Sequence, residues 1–198
     1  MFVKICGLSS AEAVAAALEA GADALGFVIT PSVRQVSART AARLAEPARG
    51  RAWCIAVTRH PDSSQVEEIL DVFAPDLLQT DREDLASLPS RALDRVLPVY
   101  RENTAMLEKL PPCILFEGAQ SGVGQTANWT LAQTLALRSR LLLAGGLDAQ
   151  NVSDAIRRVR PWGVDVSTGV ESSPGIKSPK KMYDFVKVAN TAFGELSE

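Results

Sequence analysis

The chain has 198 residues, 46% of them hydrophobic and 22% charged, a balance that suits one soluble domain and excludes disordered, collagen-like and disulfide-scaffold classes. Its 21 basic and 23 acidic residues are not gathered into blocks of one sign, which removes the electrostatic footprint of a nucleic-acid binder or of a protein held on an anionic membrane. Cys6, Cys54 and Cys113 are odd in number and widely spaced, and His60 is the one histidine; this argues against a disulfide framework, a metal site and histidine-based triads, and for a reducing, cytoplasmic setting.

In chain order, residues 2–6 (FVKIC) read as a first strand, and Ser9 with Glu12 reads as the capping box of a helix that stops at Gly21. ALGFVI (24–29) is a second strand, followed by a helix opening at Ser37, and AWCIAV (52–57) a third, followed by a helix capped by Ser64 and Glu67. His60, in TRHPD ahead of Pro61, reads as a loop residue. DLLQ (76–79) is a fourth strand and RVLPV (95–99) a weaker fifth, because Pro98 cannot donate to a ladder. CILF (113–116), RLLLA (140–144) and GVDVS (163–167) complete the set, and Ser178 with Pro179 opens a last helix. No apolar stretch approaches the roughly 18 residues of a spanning helix, and MFVKICGLSS has no leader-like apolar core.

Eight strand-then-helix units with strands apolar enough to be buried on both faces predict a parallel α/β sheet, and eight is the number that closes a (β/α)8 TIM barrel. An open doubly wound sheet of this size would use five or six strands. The expected architecture is one compact domain over residues 1–198 with a reduced helix after strand five, because typical barrels need about 250 residues. Functional groups of such a barrel lie at the C-terminal ends of its strands. Strand parity turns Lys4 and Cys6 inward, opposite Val3 and Ile5, and turns Asp165 and Ser167 inward, opposite Val164 and Val166. Strands one and eight are neighbours in a closed barrel, so Lys4 is expected to pair with Asp165, since a buried charge needs a partner.

AGGL (144–147) and STGVESSPG (167–175) end strands seven and eight with small residues that let backbone N–H groups approach a phosphate, aided by a helix starting at Asp148 to Asn151. Arg34 follows strand two and suits a carboxylate or phosphate. Glu117 ends strand six, in parity with Leu115, and could donate a proton. Trp53, Trp129 and Trp162 read as packing, and Arg157, Arg158 and Arg160 as a solvated helix end.

KICGL (4–8), GADALGFV (21–28), PSVRQVS (31–37), LAGGLDAQNV (143–152) and PWGVDVSTGVESSPGIKSPKK (161–181) closely resemble phosphoribosylanthranilate isomerases of tryptophan biosynthesis, in order from end to end. The resemblance implies a (β/α)8 barrel, no cofactor, and an Amadori rearrangement of N-(5′-phosphoribosyl)anthranilate to 1-(2-carboxyphenylamino)-1-deoxyribulose 5-phosphate. It makes Cys6 the general base and Arg34 the contact to the anthranilate carboxylate. The backbones at Gly145, Gly146, Ser167, Thr168 and Gly169 become the phosphate cradle, and Asp165 joins the substrate-binding set. The partner is then a phosphorylated small molecule, with the oligomeric state open between monomer and homodimer.

The chain departs from the family pattern around the chemistry. Glu117 stands where the family has an aspartate as general acid, Asp81 where it has the histidine of QLHG, and Gln125 and Ala127 where it has lysine and phenylalanine; the loop after strand two is one residue shorter. Two other readings therefore stand beside the isomerase. One is a divergent paralogue that binds a phosphorylated ligand with weak or no turnover. The other is an enzyme for a different aminated ribose phosphate; related histidine-pathway isomerases carry aspartate at the first strand tip, where this chain has Cys6.

Overall fold

The computed structural model describes residues 1–103, 108–119 and 126–196. Strands β1 (Val3–Cys6), β2 (Ala24–Val28), β3 (Trp53–Val57), β4 (Leu77–Asp81), β5 (Val96–Arg101), β6 (Cys113–Glu117), β7 (Arg140–Leu143) and β8 (Gly163–Val166) pair in chain order and close into a parallel barrel. Closure is made by β1 against β8, in a register that sets Lys4 opposite Asp165. The expected (β/α)8 fold is present, each strand lying within a residue or two of its expected place.

Alternation along the strands produces two cores. Phe2, Ala24, Ile55, Leu97, Val99, Leu115 and Leu142 fill the barrel, while Val3, Ile5, Leu25, Phe27, Leu78, Tyr100, Phe116 and Val164 face outward into the helix layer. Pro98 lies on β5 between inward-facing Leu97 and Val99, and the strand continues past it to Arg101, beyond the expected end.

The helix layer comprises α1 (Ala11–Glu19), α2 (Ala38–Ala45), α3 (Ser63–Glu68), α4 (Trp129–Ala136), α5 (Val152–Val159) and α6 (Pro179–Glu195). Ser37 and Ser178 cap their helices as expected, each side chain accepting a backbone N–H three residues on. Two other caps differ from expectation: Ser10, not Ser9, caps α1, and Asp62, not Ser64, caps α3, which then continues as a π turn over Ile69–Phe73. In both places adjacent residues can all serve as caps, so local chemistry does not choose among them.

The economy of length falls earlier than expected. Between β4 and β5 there are two short 3-10 turns, Arg82–Ser87 and Ser90–Arg95, where a helix was expected. Pro89 between them cannot continue the first turn's hydrogen bonding. Among the described residues no helix joins β5 to β6; the reduced helix expected there falls partly on 104–107, outside the described residues. After β8 the loop forms a small antiparallel hairpin, β9 (Glu171–Ser173) and β10 (Ile176–Lys177), turning through Pro174 and Gly175. No helix among the described residues is long and apolar enough to cross a membrane.

Candidate active site

At the barrel's axis, Lys4 Nζ donates to Asp165 Oδ1 at 2.7 Å, the pairing expected from parity. Lys4 is completely buried; burial pulls its pKa down, but Asp165 outweighs it and the ammonium is held up to about 12. Cys6, at the tip of β1, is buried with its thiol pushed above the ordinary 9.0 by desolvation, against the opposing pull of Lys4 and Lys177. Gly26 on β2 makes room for it: a Cβ there would lie 2.9 Å from the Cys6 sulfur.

Arg34 reaches back from the loop after β2 and forks onto Glu171, Nε to Oε1 at 2.6 Å and Nη2 to Oε2 at 2.8 Å. Lys177, from the other arm of the hairpin, donates to Glu171 Oε1 at 2.8 Å and to the Ser167 carbonyl at 2.9 Å, and the Gly175 N–H completes the set on Glu171. Burial alone would raise the Glu171 pKa, but the hydrogen bonds from Arg34 and Lys177 outweigh it and bring it to about 2. Because the folded value lies below the ordinary 4.5, the stability contributed by this carboxylate is complete above about pH 4.5 and is lost as pH falls toward 2. Glu171→Gln is therefore expected to melt below the wild type at pH 7, with the gap closing between pH 4.5 and the lowest pH at which both still fold. Thermal unfolding at several pH values checks this; a gap independent of pH contradicts it.

Across the mouth, the tips of β4, β5 and β6 share one guanidinium. Arg101 donates to Asp81 Oδ1 at 2.6 Å and to Glu117 Oε1 at 2.9 Å, with all three side chains largely buried. Its pKa is raised: burial opposes the charge, and the two carboxylates more than restore it. Arg59, at the tip of β3, is 60% exposed and lies 3.6 Å from Asp81 Oδ2. His60 is the loop residue expected, with φ of 50°, and bonds through Nδ1 to Asp84 Oδ1 at 2.7 Å. His60, Asp81 and Asp84 bring ligand-type atoms within 4.8 Å of one another. Arg101 already neutralises Asp81, however, while Thr80 and His60 bond Asp84, so the cluster serves to tie the β3 and β4 loops.

The glycine loops end β7 and β8. Gly145 and Gly146 have φ of 89° and 59°, a left-handed pair that glycine adopts freely. Asn151 holds the turn by donating to the Gly146 carbonyl, and Asp148 accepts from the N–H groups of Gln150 and Asn151 just before α5. The β7 and β8 loops press together at Gly169, where a Cβ would collide with the Leu147 carbonyl.

Of the expected site residues, Cys6, Arg34, Glu117, Asp165 and Ser167 line one cavity of about 240 Å³ in the barrel mouth, together with Gln79, Asp81, Arg59 and Arg101. Gly145, Gly146, Thr168 and Gly169 do not line it; they are half-buried on the adjoining ends of β7 and β8. A larger open groove of about 550 Å³ runs between α4 and α5, away from these strand ends. Two of its three arginines have structural partners, Arg158 over the Trp129 ring and Arg157 on Glu195, in keeping with the solvated face expected.

The family model described as N-(5′-phosphoribosyl)anthranilate (PRA) isomerase matches residues 3–188. The chain belongs to this family. It is 40% identical over 206 residues to the N-(5′-phosphoribosyl)anthranilate isomerase of Rhodopseudomonas palustris (strain BisA53), covering 94% of each chain. Among solved structures it is similar to the phosphoribosyl anthranilate isomerase of Thermus thermophilus, with a TM-score of 0.85 at 26% identity over 96% of this chain and 99% of that one. It is also similar to a phosphoribosyl anthranilate isomerase solved with reduced 1-(o-carboxyphenylamino)-1-deoxyribulose 5-phosphate, with a TM-score of 0.77 at 26% identity, covering 96% of this chain and 99% of that one.

Set in this isomerase family, the barrel mouth contains groups that sequence reasoning left unassigned. Glu171 and Lys177 are one: an acid and a base at the two ends of a Pro-Gly turn, ESSPGIK, are the local signal of a cross-hairpin pair. Arg101 is another, and its signal was weak, since Pro98 made the fifth strand seem to stop short of it.

Proposed function

We propose that the chain catalyses the Amadori rearrangement of N-(5′-phosphoribosyl)anthranilate, with Cys6 as general base and Glu117 as general acid. The observation that carries this reading is that Cys6 and Glu117 face one small cavity from β1 and β6. The glycine loops of β7 and β8 adjoin it, and Arg34, Arg59 and Arg101 line it from the loop after β2 and from the tips of β3 and β5, which suits a substrate carrying both a phosphate and a carboxylate.

The chemistry follows from these groups. Glu117, protonated, gives its proton to the ribose ring oxygen; the ring C–O bond breaks and a Schiff base forms at C1′. Cys6, as thiolate, takes the proton from C2′, the electron pair moves into the C1′–C2′ bond, and the resulting enolamine tautomerises to the ketone. The phosphate, held remotely at Gly145, Gly146, Ser167, Thr168 and Gly169, fixes the sugar between the two groups. Arg34 faces the anthranilate carboxylate, and Asp165 holds Lys4 beneath the thiol.

Arg101 bears on the acid's position: one guanidinium serves two carboxylates, Asp81 and Glu117, and holds the Glu117 carboxyl at the mouth of the cavity. The purified chain is expected to abolish the fluorescence of freshly made phosphoribosylanthranilate faster than the substrate's spontaneous decay. No acceleration, with a phosphorylated product analogue still bound, would replace this reading by that of a binding protein without turnover.

A further inference from the structure

Arg34 is heavily committed. The edge formed by its Nε and Nη2 is taken by Glu171, and Glu171 is itself pinned by Lys177 and Gly175. Releasing that edge would strip a buried carboxylate of its fork, so a ligand meets only what remains of the guanidinium. Arg59 is in the opposite condition. It borders the same cavity from β3, its side chain is 60% exposed, and its nearest carboxylate, Asp81, is 3.6 Å away and already bonded by Arg101 at 2.6 Å. Its carbonyl accepts from Thr30 Oγ1, which fixes the base of the side chain beside the loop that carries Arg34.

A second observation concerns Gln79. It points into the barrel from β4, is only 7% exposed, lines the cavity, and its Oε1 is buried with no hydrogen-bond partner among the described residues. A buried amide oxygen left unpaired is a cost that a bound donor removes. Gln79 pairs in register with Val57, two residues before Arg59 on the neighbouring strand, so the acceptor and the guanidinium occupy one wall of the mouth.

We infer that Arg59 and Gln79 together read the ortho-carboxyanilino end of the substrate, Arg59 donating to the carboxylate and Gln79 Oε1 accepting from the adjacent anilino N–H. This rests on the function proposed above and adds to it the residues that set specificity. A ligand with both groups satisfies the wall, and one lacking the carboxylate leaves Arg59 unused.

The test uses two stable ligands, the reduced product analogue bearing the carboxylate and the same compound made from aniline without it, titrated into wild type, Arg59→Met and Gln79→Leu. Arg59→Met is expected to weaken binding of the carboxylated ligand by about 10- to 100-fold and that of the aniline compound by less than about twofold. Gln79→Leu should weaken both ligands alike, since both carry the N–H. Equal losses for the two ligands in Arg59→Met, or none for either, overturn the role of Arg59, as does a wild type that binds the two ligands equally. A loss confined to the carboxylated ligand in Gln79→Leu, or no loss at all, overturns that of Gln79. Because Arg59 is exposed, the Met variant is expected to fold, and circular dichroism confirms it beside each titration. If wild type binds the carboxylated analogue but turns nothing over, the catalytic reading fails while the binding ratios still decide this one.

Discussion

Replacing Cys6 by Ala or Ser is expected to lower kcat/KM by about 100- to 10,000-fold, the range that a positioned general base contributes, while affinity for the reduced product analogue changes little. The separation of effects follows from the groups involved: the phosphate is proposed to rest on backbone groups of the β7 and β8 loops, so removing a side-chain thiol from β1 leaves the anchoring groups in place. The thiol's setting adds a second readout. Burial pushes its pKa above 9.0 and the ammonium groups of Lys4 and Lys177 only partly offset that, so the thiolate is scarce at neutral pH and increases about tenfold for each unit of pH below the pKa. Alkylation of Cys6, followed by mass spectrometry of its peptide, should therefore still be accelerating at pH 9 and should be blocked by the product analogue. Alkylation that levels off near pH 7, or an alanine variant with wild-type turnover, would remove Cys6 from the role of base.

The fold and half of the site could be read from the sequence because they depend on alternation. In FVKIC, Lys4 and Cys6 are out of place among Val3 and Ile5, and only one face of the strand can hold a charge, so their inward direction and the Asp165 partner follow once the barrel closes. Glu117 follows from Leu115 in the same way. What escaped depends on contacts between distant segments or on strand length. Arg34 and Glu171 are 137 residues apart, and no local pattern says that the arginine will be held by the hairpin. Arg101 was hidden because Pro98 shortened the expected strand, whereas neighbours on both sides carry β5 past the proline. The helix expected after β4 is absent because its span is short and broken by Pro89, a local cue that the eightfold count overrode.

For Glu117, removal and shortening should both be costly, for different reasons. Glu117→Ala deletes the proposed proton donor and is expected to lower kcat by about 100- to 10,000-fold. Glu117→Asp keeps the carboxyl but retracts it by one methylene from an arrangement built for the longer side chain. Arg101 sits directly opposite Glu117 in the β5–β6 register and meets its Oε1 at 2.9 Å while its other Nη holds Asp81 at 2.6 Å, so the guanidinium cannot follow a retracted carboxylate without leaving Asp81. A displacement of about 1 Å costs on the order of 100-fold in rate, and that is the expected loss for the aspartate variant. The loss should appear in kcat with KM nearly unchanged, because the phosphate and carboxylate anchors lie on other strands. Wild-type kcat in Glu117→Asp would mean that the acid's reach is not set by Arg101. Wild-type kcat in Glu117→Ala would mean that the ribose ring is opened by another group.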